Sequence, residues 1–193
     1  MRELVFLLEE PSARAMLESL LPRILDGGIA YRLIPFEGKQ DLEKHLLRRI
    51  RGYQNQNARF LVLRDQDSHP DCVVVKQRLL DLCQASGKGN ASLVRIACRE
   101  LEAFYLADLE ATGIALGKAS LSKYQTQRKF RSPDTLGSPS QELRQLTNFR
   151  YQKIAGSREI GKYLAVDNGR SPSFRNLIGG IKRLEAELLA LPP

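Results

Sequence analysis

Leu4-Val5-Phe6-Leu7-Leu8 is an unbroken apolar run of strand length. That is the pattern of a strand buried on both faces. The period then changes: Ala13, Met16, Leu17, Leu20, Leu21 and Ile24 share one helical face, with Ser12 as the expected cap and Pro22 expected to kink or shorten the helix. After Gly27-Gly28 the pattern predicts a second strand over 29–36, broken by Gly38. Leu42, Leu46, Ile50 and Tyr53 mark a second helix, and Arg48, Arg49 and Arg51 crowd the end where the dipole favours cations. Phe60-Leu61-Val62-Leu63 is a third strand that runs into Arg64-Asp65-Gln66-Asp67-Ser68-His69-Pro70. Ser68 or His69 is the expected cap of the next helix, with Pro70 in its first turn. Cys72, Val75, Leu79, Leu82 and Cys83 form its apolar face. Ser86-Gly87-Lys88-Gly89-Asn90 reads as a turn, residues 93–98 as a fourth strand, and 100–108 as a helix.

Strand and helix alternating four times predict an α/β fold, a parallel sheet of about four strands flanked by helices with right-handed crossovers. Ligands in such sheets sit at the carboxyl ends of the strands. The pattern changes after Asp108, so the chain divides into a core over 1–110 and a basic, mostly helical extension over 111–193. Within the extension, 121–140 is polar and punctuated by Pro133, Gly137 and Pro139, and predicts a partly mobile loop. Residues 157–166 suggest a short helix. Ser173 is the expected cap of a last helix whose face of Phe174, Leu177, Ile178, Ile181, Leu184 and Leu188 needs the core to dock on.

Charge changes the picture more than overall composition does. Hydrophobic residues make up 42% and charged residues 27%, ordinary for a globular chain, but the net charge is +8. From Ile114 to Lys153, eight Lys and Arg stand against Asp134 and Glu142, an excess of +6. An excess this local suits a polyanion, with nucleic acid the usual one, although a solubilising surface has equal weight. Lys123, Arg128, Lys129 and Arg131 are the candidate phosphate contacts. No apolar run approaches the roughly 18–20 residues of a membrane span, and the N-terminus lacks a signal-peptide pattern, so a cytoplasmic location with no membrane partner is expected. The three cysteines lack CxxC spacing and read as buried free thiols.

The candidate chemistry sits at strand ends. Asp65 and Asp67 lie two apart just past the third strand, and Glu9 just past the first. Carboxylates so gathered suit Mg²⁺ or Mn²⁺, which prefer hard oxygen ligands. A lone Asp-x-Asp would more simply cap a helix; Glu9 at a neighbouring strand end shifts the balance to a metal site. Glu9 is the candidate acid/base or ligand, and Glu10 a helix-dipole partner. Glu100 is either a further metal ligand, as in two-metal phosphodiester chemistry, or a first-turn acid; Glu102 reads as structural. Gly87-Lys88-Gly89 lacks phosphate-loop spacing and opens no helix.

A strand ending in Glu and a later strand ending in Asp-x-Asp, on an alternating α/β pattern, resemble the Toprim superfamily of topoisomerases, primases, OLD-type nucleases and RNase M5-like proteins. Leu8-Glu9-Glu10-Pro11-Ser12, Leu63-Arg64-Asp65-Gln66-Asp67, residues 99–108 and Arg170-Ser171-Pro172-Ser173-Phe174 resemble, more narrowly, a bacterial Toprim-like family of unknown function. The resemblance implies a Toprim-like, Rossmann-like core and Mg²⁺-dependent phosphodiester chemistry, with Glu9, Asp65 and Asp67 as the catalytic and metal-binding set. The chain departs at Glu10, where the superfamily carries glycine. The implied activity is that of a nuclease acting on DNA or RNA. By analogy it extends to phage or mobile-element defence with an operon-encoded ATPase or other protein partner. The alternatives are a non-catalytic nucleic-acid-binding module and a haloacid-dehalogenase-like phosphatase. The second fits less well because its Asp-x-Asp belongs on the first strand.

Overall fold

In a computed structural model that describes residues 1–191, the four strands form one parallel sheet in the order β2-β1-β3-β4. The expected extension's last two residues, 192 and 193, lie outside the described part. β1 (Glu3–Leu8) and β3 (Ala58–Asp65) are central, which is why residues 4–8 and 60–63 are continuously apolar: nearly every residue of the two strands is buried. β2 (Ala30–Pro35) and β4 (Ser92–Ala97) are the edges, and their side chains are far less completely buried. Leu8 pairs in register with Leu63 and with Pro35, and Asp65 with Ala97, so the carboxyl ends of all four strands lie side by side.

Period-two alternation along the central strands supplies two cores. Val5, Leu7, Phe60 and Val62 face the apolar stripes of α2 (Lys39–Arg51) and α3 (Cys72–Ala85), represented by Leu42, Leu46, Ile50 and Leu79. Leu4, Phe6, Leu8, Leu61 and Leu63 face α1 (Pro11–Leu20) and the long C-terminal helix. Pro22 ends α1 as expected, because a 3₁₀ turn over Leu21–Arg23 takes over.

Between β4 and the last helix lie α4 (Glu102–Leu106), α5 (Leu109–Ala115), α6 (Arg128–Arg131), α7 (Pro139–Leu146) and α8 (Lys153–Gly161), followed by α9 (Pro172–Leu189). The expected loop over 121–140 is instead a succession of short helical turns. Leu121, Phe130 and Leu143 each anchor one turn in the core, and they are too widely spaced to show a period in the sequence. α9 buries Phe174, Leu177, Ile181, Leu184 and Leu188 against the sheet, as its stripe requires.

Three helix starts differ from expectation, each by a short shift. α1 begins at Pro11, so Ser12 lies inside it and its hydroxyl donates to Glu10 at 2.5 Å. Asp71 caps α3 by accepting from the Val73 N–H at 2.7 Å, in place of Ser68 or His69. Ser171, and not Ser173, caps α9, and its hydroxyl also donates to Asp134 at 2.6 Å. Proline at N1 or N2 of α1 and α9 moved the cap upstream. Cys83 is buried, Cys72 and Cys98 are half-buried, and all three are free thiols.

Gly161 sets how near α8 comes to α1. A Cβ there would lie 2.4 Å from the Met16 carbonyl oxygen of α1, which is backbone and cannot swing aside. Gly161→Ala should therefore force α1 and α8 apart and cost about 1–3 kcal/mol, read as a lower denaturation midpoint at unchanged m-value. An unchanged midpoint would mean that the two helices separate freely.

Candidate functional site

The parallel register brings Glu9, one residue past β1, beside the end of β3. The Glu9 N–H donates to the Leu63 carbonyl at 3.1 Å, continuing the ladder. Its Oε2 accepts from the Asp65 N–H at 3.0 Å and lies 3.7 Å from the Arg64 guanidinium. Arg64 is itself buried and pairs with Glu43 from α2. Burial is the main reason that the Glu9 carboxyl is pushed up to about 7; the Asp65 N–H opposes this rise and the Asp67 charge adds to it.

Asp65 points into the opposite core. Its Oδ2 accepts from the Leu101 N–H at 3.2 Å. Burial first, then the charges of Glu10, Glu102 and Glu9, hold its carboxyl well above the ordinary range. Two of those neighbours, Glu10 and Glu102, lie outside the site set expected from the sequence. Glu102 opens α4 with no measurable exposure, and its Oε1 accepts from the Tyr151 hydroxyl at 3.1 Å. Its Oε2 is buried without a hydrogen-bond partner, and desolvation raises its carboxyl too. An orphaned carboxylate oxygen of this kind calls for a cation or a proton.

The cation that the chain itself supplies is Lys153, the first residue of α8, whose Nζ donates to Glu10 at 2.8 Å. Burial pulls its ammonium down, but the hydrogen bond to Glu10 and the charges of Glu102, Glu10 and Asp65 outweigh that and hold it above the ordinary lysine value. A cavity of about 390 Å³ opens beside this pair, lined by Glu102, Lys153, Arg144 and Phe149 among others.

Asp67 and Glu100 find their polar partners outside this group, although their charges bear on Glu9 and Glu102. Asp67 has φ 56°, a left-handed conformation fixed by its N–H donating to the Arg99 carbonyl at 2.7 Å. This turns its carboxylate outward to Lys39, 2.9 Å away. Glu100 accepts from the Ser140 N–H at 2.6 Å and so satisfies an orphan donor in the first turn of α7. Gln66 ties the two loops together, donating to His69 at 2.7 Å and accepting from the Arg99 N–H at 3.3 Å. Among the described residues no group of three or more His, Cys, Asp or Glu side chains is placed to hold a metal ion. The donor set is all hard oxygen, which suits Mg²⁺ or Mn²⁺, and the orphaned Glu102 oxygen is free to bind.

Of the expected phosphate contacts, Arg128, Lys129 and Arg131 line one open groove of about 630 Å³ with Ser132, Thr135 and Leu136. Lys123 is exposed outside it, in the 3₁₀ turn over Ala119–Thr126. Lys129 is partly neutralised by Glu142 at 2.7 Å, and Arg131 donates to the Thr126 carbonyl at 3.0 Å. Among the described residues no helix is long and apolar enough to cross a membrane.

Glu102, Tyr151 and Lys153 carried no sequence signal stronger than a helix-start acid, an isolated aromatic and one charge in a basic stretch. Only Glu102 was open to a better reading, since it lies two residues from Glu100 on the same strand exit.

Comparison with known proteins gives two matches. The model of a family described as a domain of unknown function (DUF4276) matches residues 8–182. No curated protein matches the chain. Among solved structures, the C-terminal region of the Burkholderia pseudomallei OLD protein is similar, with a TM-score of 0.53 over 97% of this chain and 98% of that one. The sequence identity is 17%, so this likeness speaks for the fold alone.

Proposed function

The chain belongs to that family, DUF4276, and we propose that it is a Toprim-type, divalent-metal-dependent nuclease acting at the carboxyl ends of β1 and β3. The observation that carries this reading is Glu102: a fully buried carboxylate with an unpartnered oxygen, whose charge, with those of Glu10 and Glu9, bears on Asp65. The fold shared with the C-terminal region of the OLD protein supports it, as does the surplus of cations on the extension.

Glu9, Asp65 and Glu102 would hold Mg²⁺ or Mn²⁺, and Asp67 would join them on release from Lys39. The bound cation would supply charge neutralisation and Lewis acidity at a phosphodiester. Tyr151 orients Glu102, the Asp65 N–H orients Glu9, and Lys153 is within reach of both the acids and the open cavity. From there its ammonium can hold a phosphate oxygen beside the carboxylates. The reading includes phage or mobile-element defence alongside an operon-encoded ATPase or other partner, by analogy with related nucleases.

The competing reading is a nucleic-acid binder without cleavage. It draws on the two lysines, Lys39 and Lys153, that already neutralise Asp67 and Glu10. Labelled single- and double-stranded DNA and RNA, incubated with Mg²⁺, Mn²⁺ or EDTA, separate the two. Cleavage with metal and none in EDTA is expected; binding without cleavage under every condition would favour the competitor.

The basic groove and the neighbouring Lys123 make their own prediction. Replacing Lys123, Arg128, Lys129 and Arg131 together by Ala should weaken binding to all sequences alike. The slope of log affinity against log salt should fall by roughly 0.7–0.9 for each phosphate that the variant no longer neutralises. Lys129 should contribute least, because Glu142 competes for it. An unchanged slope would leave the groove as a solvated face.

A further inference from the structure

Phe149 is 65% exposed, and its backbone is held where a bulky residue is rarely found. Asn148 and Phe149 have φ of 51° and 60°, consecutive left-handed residues in a turn where neither is glycine. The turn is closed by the Phe149 N–H donating to the Arg144 carbonyl at 2.7 Å and the Arg150 N–H donating to the Thr147 carbonyl at 3.1 Å. Strain of this sort persists where the surrounding structure imposes it, and such positions gather at ligand sites. Here it presents an aromatic ring with the Arg144 guanidinium 5.7 Å from its centroid.

The ring does not stand on an unrelated surface. Phe149, Arg144, Ser140, Gln152 and Lys153 line the same cavity as Glu102 of the acidic cluster. One compartment thus combines a π-face, two cations, an amide and the edge of the carboxylate site.

We infer that this cavity is a nucleobase-stacking subsite: Phe149 and Arg144 receive an unpaired base of a DNA or RNA strand whose backbone passes Lys153 and the carboxylates. The inference rests on the nuclease reading and narrows its substrate to single-stranded or frayed nucleic acid. Every base has a π-face, so an aromatic platform binds without regard to sequence, and a neighbouring Arg adds a cation–π contact. A base inside an intact duplex already stacks on its neighbours and cannot reach the ring. The Gln152 amide offers both donors and an acceptor to a base edge, and Lys153 and Arg144 offer charge to the adjoining phosphate.

Fluorescence anisotropy tests this with short labelled single strands of DNA and RNA and with a blunt duplex of the same sequence, Ca²⁺ replacing Mg²⁺ to suppress turnover. The parent should prefer the single strands. Phe149→Ala should weaken single-strand binding by about five- to a hundredfold and change duplex binding less than about twofold, while Phe149→Trp should restore the single-strand affinity. Equal affinities of parent and Phe149→Ala for single strands, with metal-dependent cleavage intact, would overturn the subsite and leave the nuclease reading standing. An equal loss for both polymers would reduce Phe149 to a general surface contact and also overturn it. Failure of the parent to bind any of the probes would remove the nuclease reading and this inference together.

Discussion

Asp65→Asn should reduce metal-dependent cleavage by more than about a hundredfold while leaving the metal-free protein as stable as the parent or more so. Outer-shell partners of metal ligands alone cost about 10–100-fold when removed, and Asp65 is a proposed direct ligand. Its substitution is nearly isosteric, and the remaining carbonyl can still accept from the Leu101 N–H. What changes is the ionisable group: burial first, then the charges of Glu10, Glu102 and Glu9, make an ionised carboxylate costly there, and a neutral amide does not carry that cost. In thermal melts the parent should gain stability with added Mn²⁺ as RT ln(1 + [L]/Kd), and the variant should gain much less. Glu102→Gln should behave in the same way. Asp67→Asn is the instructive contrast, because it removes only an exposed pair with Lys39, worth about 0–1 kcal/mol, unless the pair opens to let Asp67 bind metal. Equal metal-dependent shifts in parent, Asp65→Asn and Glu102→Gln would take both acids out of the site.

The metal-free protein should lose stability as pH rises from about 5 to about 8, the reverse of ordinary acid denaturation. Glu9 titrates at about 7 in the folded chain against an ordinary 4.5, mainly because it is buried. Asp65 and Glu102 are raised for the same leading reason. Between the unfolded and folded values the native state binds more protons than the unfolded one, so each added pH unit favours unfolding. For Glu9 alone the full span corresponds to about 3 kcal/mol. In a chain of this length that amounts to a melting temperature lower by about 6–12 °C. Other carboxylates act oppositely but elsewhere on the scale. Despite some burial, Glu3 and Glu18 are held low by hydrogen bonds from Asn55 and Arg14, and Asp41 by the Glu37 N–H. Their contribution is complete above their ordinary values and is lost only below about pH 4. Melts of the parent and of Glu9→Gln in EDTA across this range check the claim. The variant should show a clearly flatter slope, and parallel curves would mean that Glu9 is ionised in the fold throughout.

The sheet was legible in the sequence because burial on both faces leaves little freedom: residues 4–8 of β1 and 60–63 of β3 must be apolar, and Glu9 and Arg64-Asp65 follow them directly. The last helix was legible for the related reason that its one apolar stripe admits one docking face. The turns through Leu121, Phe130 and Leu143 were not, since one anchor per turn makes no period. The acidic group was half legible. Strand register places Glu9 beside the Asp65 backbone, as the strand ends implied, while the Asp65 carboxylate leaves on the other face toward the Leu101 N–H. Tertiary structure alone decided the other members. Glu100 and Glu102 are the same residue type two positions apart, yet one caps α7 and the other is buried beside Asp65. That choice depends on the turn after β4, where Arg99 takes φ 64° and its carbonyl accepts the Asp67 N–H. The same long-range bond turns Asp67 away toward Lys39. Lys153 and Tyr151 arrive from about fifty residues downstream through the packing of α8 on α1, which Gly161 permits. A chain pattern records which residues must be buried, but the direction of a polar side chain leaving a strand is set by loop dihedrals. Those dihedrals are fixed by hydrogen bonds to residues that come together only on folding.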